Sequence, residues 1–484
     1  MSNTQRKYSV LMFPWLAQGH AFPFLELAKK LAKRSNFHIC FCSTPSILNS
    51  IKQSDKFSLS IQLIELHLPS LPELPPQYHT TKGFPPHLMP TLEEAFDMAS
   101  PSFFNILKNP SPDLLIYDLI QPWAPALASS LNIPAVYFLV SSAATSAFMF
   151  HGIKKNSSGD ANDDDEEILQ CFERSCNIVL IKSFRELEGK YIDYLSDLIK
   201  KKVVPVDPLV QDPVEEDDHE KGVMEIIQWL DKKERSSTVF VSFGSLIIVA
   251  TIVCSQMIPG LAHLIDCTTT GLIIRDLTSV VVTDRDLTGV VVADRDLGAS
   301  ITSAEKANSD FQEEMEDIAL GLELSGVNFI WVVRFPCGAK SKVDEELPKS
   351  FLERTKERAM VIEGWAPQMK ILGHPSIGGF GSHCGWSSVM ESMKLGVPII
   401  GMPMHLDQPL NARLVEDVGI GLEVRRNKCG RIQREEMARV IKEVVMEKDG
   451  GKMKRKTREM GEAIKEKGEE EIEWVADELI HLCG

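Results

Sequence analysis

A chain of 484 residues exceeds the about 250–300 at which a single hydrophobic core stops growing, which predicts two domains. With 44% hydrophobic and 25% charged residues, the composition is that of a folded globular protein and excludes global disorder. A formal net charge of −16 argues against nucleic acid or an anionic membrane as partner, since both need a basic footprint, but it leaves room for a local phosphate pocket.

In chain order, the apolar run 8–17 is broken by Pro14 and followed by Gln18, Gly19 and His20 rather than a small-residue cleavage site, so it reads as a buried strand and a loop, not a secretory leader. VLMF (10–13) is the strand, and Phe24, Leu27, Ala28 and Leu31 give the following helix its stripe. FHICFCS (37–43), LSIQLIEL (59–66), DLLIYDLI (113–120) and AVYFLV (135–140) are further strands, separated by helical or loop segments. The alternation implies parallel strands joined by right-handed crossovers. The proline-rich stretch 68–90 predicts a long surface loop. The acidic stretch 155–167 predicts a solvated loop, without the ligand spacing of a calcium site. CNIVLIKSF (176–184) returns to strand, and 203–222 mixes proline with charge as a linker.

A second series starts at TVFVSFGS (238–245) and continues through a helix at 313–325, NFIWVV (328–333), AMVIEG (359–364), the segment 376–424 and a helical tail at 431–482. Two sheet domains joined by a linker would leave a cleft, a usual ligand site. Residues 246–312 fit neither pattern. A charge-free run, Leu246–Ile265, precedes near-copies of one unit, GLIIRDL, SVVVTDRDL and GVVVADRDL. The run contains Ser255, Gln256, Pro259, Gly260 and His263, which argues against a membrane span, and the repeats are too few for a solenoid. The segment reads as an insertion, natural or translated from non-coding sequence. The ten cysteines include no CxxC pair, and Cys40 and Cys42 lie two apart on a strand, which fits core thiols in a reducing cytosol.

The chemistry concentrates at two places. From Trp365 to Gln408 the chain reads WAPQMKILGHPSIGGFGSHCGWSSVMESMKLGVPIIGMPMHLDQ. Its centre reads as a glycine-rich loop running into a helix: glycines let a phosphate approach, and unbonded N–H groups with the helix dipole stabilise its charge. Ser388-x-x-Glu391 is equally the pattern of a capping box. Gly379-x-Gly381 opens a dinucleotide fingerprint, but Cys384 stands where the third glycine belongs, which sets aside an NAD-linked oxidoreductase. At the other place, Gly19-His20 follows the first strand at the carboxyl edge of a parallel sheet, where ligands gather. The helix N-terminus there disfavours imidazolium and keeps His20 neutral, as a base must be. Asp118 ends DLLIYD at the same edge, placed to bond the other ring nitrogen and fix the tautomer.

Taken together, Trp365, Pro367, Gln368, His374, Pro375, His383, Gly385, Trp386, Ser388, Glu391, Asp407 and Gln408 stand in the register of a known signature. The segment resembles the signature box of plant family-one UDP-glycosyltransferases. The resemblance implies a GT-B-like α/β fold, with two Rossmann-like parallel-sheet domains facing across a cleft. It also implies Trp365 stacked on uracil, Gln368 and Glu391 on ribose, His383 and Ser388 on the pyrophosphate, and Asp407 and Gln408 on sugar hydroxyls. Gly244, Ser245, Ala366, Gly385, Trp386 and Ser387 would complete the donor site. Ser387 departs from the Asn that most members carry and shortens one phosphate contact. His20 and the Asp118 of YDLIQPWAP match the family's catalytic pair, implying direct displacement with inversion to a β-glycoside.

The likeness covers 1–245 and 313–484 and is strongest to the branch-forming clade, which adds sugar to sugar, as in crocetin-glycoside and triterpenoid-saponin glucosyltransferases. It implies UDP-glucose as co-substrate, a small-molecule glycoside of plant secondary metabolism as acceptor, no metal and no other cofactor, no nucleic acid, no stable membrane insertion, and a cytoplasmic location. Asp284-Arg285-Asp286 and Asp294-Arg295-Asp296 mimic a metal motif, but the repetition explains them. The implied map is an acceptor-binding domain over 1–205, a linker over 206–222, a UDP-sugar domain over 223–465 interrupted by 246–312, and a C-terminal helix, 466–484, packing back on the first domain. Asp207 stands where the family's linker has Gly, which alters a turn. Two alternatives remain: an aglycone (flavonoid or terpenoid) O-glucosyltransferase, and a UDP-binding homologue disabled by the insertion. The insertion is expected to be poorly ordered, and its deletion to preserve or raise activity.

Overall fold

The computed structural model describes residues 6–34, 36–53, 60–156, 163–211, 221–243, 302–334, 347–428, 430–446 and 448–483. Gly244, Ser245, the charge-free run, the repeats and both Asp-Arg-Asp triplets lie outside the described residues, as does 212–220 of the expected linker.

The chain divides into two compact units. In the first, β1 (Tyr8–Phe13), β2 (Phe37–Ser43), β3 (Ile61–Glu65), β4 (Leu114–Tyr117), β5 (Ala135–Leu139), β6 (Ile178–Ile181) and β7 (Lys202–Pro205) form one sheet. Their order is β3-β2-β1-β4-β5-β6-β7, parallel throughout. Every residue of β4, β5 and β6 is buried, because helices cover both faces of a parallel sheet and leave no position for a polar side chain. β3, at the edge, is only partly buried. The helix Gln18–Ala32 packs Phe24, Leu25, Leu27, Ala28 and Leu31 into the core. Ile472, Val475, Ala476 and Leu479 of the terminal helix Lys448–Cys483 join the same cluster. This unit therefore takes in Thr457–Gly484, more of the tail than the expected 466–484, and also Trp386–Gly396.

The second unit covers Glu215–Gly385 and Val397–Lys456. Its strands are β8 (Thr238–Ser242), β9 (Asn328–Val333), β10 (Ala359–Glu363), β11 (Ile377–Ser382), β12 (Ile399–Gly401) and β13 (Gly421–Glu423). Their order is β10-β9-β8-β11-β12-β13, again parallel. Renumbered within its own unit this is 3-2-1-4-5-6, the doubly wound order of nucleotide-binding sheets. The helix Thr302–Ser325 begins before the expected 313.

Two further expectations change. The acidic stretch 155–167 is not one loop: the helix Ala143–Asn156 runs into it, and the helix Asp163–Arg174 opens on the acidic run. Carboxylates in a first turn are stabilised by the helix dipole, and Ile168, Cys171 and Phe172 supply the buried stripe. The linker does not begin at 206, because Val206 and Leu209 belong to the first core. Asp207 between them has φ +73°, the left-handed region where a glycine would sit without strain. Its carboxylate compensates, accepting from Leu209 N at 3.2 Å and pairing with Lys30 at 2.7 Å.

Candidate active site

In each sheet the strand order reverses once, between β1 and β4 and between β8 and β11, and chains leaving the carboxyl ends of such a pair diverge to opposite faces and open a crevice. His20 and Asp118 lie on the segments leaving the first pair and His383–Glu391 follow β11 at the second, whereas Trp365, Ala366 and Gln368 follow β10 and Asp407 and Gln408 follow β12.

In the first unit, Phe13 pairs with Tyr117, so the segments leaving β1 and β4 start level. Asp118 follows β4 directly, and His20 sits in the first turn of the helix after β1. His20 Nδ1 lies 2.8 Å from Asp118 Oδ2. Asp118 is buried, and its oxygens also accept from Trp15 N at 2.9 Å and Leu119 N at 2.7 Å. A carboxylate held by two backbone N–H groups is an acceptor only, so Nδ1 carries the proton of this contact, and in the neutral ring the lone pair is on Nε2. The His20 side chain remains 25% exposed, enough to meet a substrate.

In the second unit the glycine-rich segment differs from its expected form. Ile377–Ser382 is a fully buried strand, not a loop. Its glycines answer to packing: a Cβ on Gly378 would stand 2.4 Å from Ser236 O, on Gly379 3.2 Å from Ile400 Cδ1, and on Gly381 3.0 Å from Val241 and Met402. Only His383–Gly385 forms the turn, with Cys384 at φ +63°. A Cβ on Gly385 would come within 2.5 Å of His383 Nε2, so this glycine makes room for the imidazole. His383 is buried, and its Nδ1 finds no partner among the described residues. Burial, with His405 and Arg334 nearby, pushes its pKa down to about 4 and keeps the ring neutral.

The helix Trp386–Lys394 follows at once. Ser388 lies inside its first turn instead of preceding it, so Ser388 and Glu391 are not a capping box. Trp386, Ser387, Ser388 and Glu391 belong to the first unit, whereas Trp365, Ala366, Gln368, His383, Gly385, Asp407 and Gln408 belong to the second. Trp365 is 61% exposed, a free indole face, beside buried Ala366 and half-buried Gln368. Asp407 Oδ2 accepts from Asn411 Nδ2 at 2.8 Å, and the same amide reaches Cys384 O at 3.0 Å, tying the two loops together. Gln408 is buried and spent locally: Oε1 accepts from Met404 N and His405 N, and Nε2 meets His405 Nδ1 at 3.0 Å. Sequence reasoning missed Lys182, whose ammonium donates to Ser387 Oγ at 2.7 Å and whose carbonyl accepts from Trp386 Nε1 at 2.7 Å.

A pair of doubly wound parallel sheets, with the His20–Asp118 contact at one reversal point and the buried His383 turn at the other, is an architecture that binds nucleotides. Residues 6–211 match the glycosyltransferase N-terminal domain family, and residues 288–454 match the UDP-glucoronosyl and UDP-glucosyl transferase family. UDP-glucosyltransferase 29 of Panax ginseng is 46% identical, covering 100% of this chain and 98% of that protein. Beta-D-glucosyl crocetin beta-1,6-glucosyltransferase of Gardenia jasminoides is 44% identical over 97% of this chain and 98% of that one. Among solved structures, Phytolacca americana UGT2 complexed with UDP-2fluoro-glucose and pterostilbene shares the fold at a TM-score of 0.72 and 23% identity, over 98% of this chain and 99% of that one. The chain belongs to the UDP-glycosyltransferase family and is an enzyme of that class, with a GT-B-like fold. Among the described residues no helix is long and apolar enough to cross a membrane.

Proposed function

We propose that this enzyme transfers glucose from UDP-glucose to a hydroxyl of a small-molecule glycoside, with His20 as general base and inversion at the anomeric carbon. The 2.8 Å contact between His20 Nδ1 and Asp118 carries the reading, because it leaves Nε2 as a base with a carboxylate behind it. Nε2 takes the acceptor proton as the oxygen attacks the anomeric carbon. The bond from that carbon to the UDP oxygen breaks, UDP leaves with the electron pair, and Asp118 stabilises the imidazolium. Base catalysis contributes about 10²–10⁴-fold, and alignment and donor electrostatics supply the rest.

On the donor side, exposed Trp365 is the platform for uracil, Gln368 and Glu391 take the ribose diol, and His383, Gly385, Trp386, Ser387 and Ser388 meet the diphosphate. Asp407 takes sugar hydroxyls. Gln408 holds the 403–408 loop and offers the sugar only its remaining amide N–H. No metal is required, so EDTA is expected to leave turnover unchanged. The Gardenia relative, named for a glucosylated acceptor, supports a sugar-on-sugar reaction. Free Cys40, Cys42, Cys171, Cys176, Cys384 and Cys483 suit a reducing cytoplasm, which a fluorescent fusion in leaf cells would report.

The test is a UDP-glucose assay on paired aglycones and their glucosides, with wild type and His20→Ala. Product from glucosides alone, lost in the variant, is the expected result. Equal product from both proteins removes His20 from the mechanism, preference for aglycones overturns the acceptor assignment, and UDP binding without turnover identifies a disabled homologue.

A further inference from the structure

Lys182 stands at the carboxyl end of β6 with its side chain 2% exposed, and no carboxylate lies within ion-pair distance of it among the described residues. The only hydrogen-bond partner of its ammonium there is Ser387 Oγ, at 2.7 Å. Burial lowers its pKa to about 8, against the pull of Glu391, Asp207 and Glu26, so the amine remains largely protonated at neutral pH. A buried ammonium with one of three donors used is costly unless an anion completes it. Lys182 is also fastened to its target twice, since its carbonyl accepts from Trp386 Nε1. One residue thus grips both leading residues of the helix Trp386–Lys394, whose first-turn N–H groups and dipole already favour an anion.

The direction of the bond matters. An ammonium can only donate, so Ser387 Oγ must accept, and the Ser387 O–H proton is turned away from Lys182 with no acceptor among the described residues. We propose that Lys182 is a positioning residue for a nucleoside diphosphate: it aims the Ser387 hydroxyl at a diphosphate oxygen and places a positive charge behind that bond. The pair does with two residues what an Asn at 387 would do with one, because an amide N–H donates to phosphate unaided. This inference rests on the reading that the diphosphate binds at the start of this helix.

Isothermal titration of UDP and of uridine, with Lys182→Met, Ser387→Ala, Ser388→Ala and Ser387→Asn/Lys182→Met, tests it. Lys182→Met and Ser387→Ala are each expected to weaken UDP at least about tenfold, the loss of one charge-assisted bond. Uridine, lacking phosphate, should bind as before, and Ser387→Asn/Lys182→Met should recover UDP affinity to within about threefold of wild type. A purely structural Lys182 would lower UDP and uridine affinity together and would not be rescued by Asn, which overturns the proposal. If Ser388→Ala weakens UDP while Lys182→Met and Ser387→Ala do not, the Lys182 assignment alone falls. If none of the three does, the diphosphate reading of this helix falls with it. Should Lys182→Met fail to fold, Lys182→Gln, which keeps an N–H donor to Ser387 Oγ without the charge, takes its place alone and with Ser387→Asn, with the same expected results.

Discussion

Asp118→Asn tests the base most directly. The carboxylate serves three donors, His20 Nδ1 and Trp15 N on Oδ2 and Leu119 N on Oδ1. An amide has one oxygen and one NH₂, so either orientation sets an N–H against a buried N–H and costs about 1–3 kcal/mol of stability. The kinetic cost is separate and larger. As His20 takes the acceptor proton, its ring becomes a cation about 4 Å from the carboxylate's charge centre, worth about 4 kcal/mol at an effective dielectric of about 20. Each ~1.4 kcal/mol is tenfold in rate, and solvent at the partly exposed imidazole screens part of the attraction, so kcat should fall by about 10²–10³. UDP release followed by a coupled assay at saturating donor measures kcat, and titration measures UDP affinity, which should be unchanged. A variant within about threefold of wild-type kcat would refute the electrostatic role of Asp118. An equal fall in UDP affinity would make the pair a structural tie.

Three further outcomes follow from the geometry. Gly385→Ala drives a Cβ to within 2.5 Å of His383 Nε2 in a buried turn, so UDP affinity should fall about ten- to hundredfold as the ring is displaced, read by titration. Trp365→Ala removes an exposed ring, leaving thermal stability within about 0.5 kcal/mol of wild type while weakening UDP by about 1–3 kcal/mol, as loss of base stacking should. Burial, then the charges of Asp207 and Glu186, push Glu471 from 4.5 up to about 8. Between these values the folded chain keeps a proton that the unfolded chain has released, so stability falls as pH rises through the window. Asp207→Asn removes one repelling charge, and its denaturation midpoints should decline less steeply from about pH 5 to about pH 8. Lys30 loses one of its two carboxylate partners in this variant and keeps Glu469 at 3.6 Å. Equal slopes would exclude the coupling.

The fold was legible wherever burial on both faces left a mark. β1, β2, β4, β5, β8 and β9 are near-continuous apolar runs, and the sequence located them. The short strands were harder: β12 and β13 span three residues each, too few for any pattern to separate them from the loops of 376–424. The helix Asp163–Arg174 was misread because its leading acids look like a solvated loop. Nothing in composition distinguishes charges stabilised by a helix dipole from charges merely hydrated. The grouping of Trp386–Gly396 with the first unit left no local signal either, since it depends on bonds to Lys182 and Val210, some two hundred positions earlier.

The candidate site divides along the same physical line. His20 and Asp118 were legible because each lies on the segment leaving the carboxyl end of a strand, and parallel register makes those two segments start level. The signature glycines were legible as a pattern but not as causes. Gly378, Gly379 and Gly381 are dictated by the core around β11, and Gly385 by an imidazole, so the absence of side chains there reflects the protein's own packing before any ligand arrives. Gln408 shows the converse, a side chain expected to face the sugar whose oxygen is taken by two N–H groups of its own loop and which keeps one amide N–H. Lys182 had one usable signal, a lone cation closing the apolar strand IVLI at the carboxyl edge of a parallel sheet. A charge in that position, without an acidic neighbour to pair it, is expensive to bury, and an incoming anion is what would offset the expense.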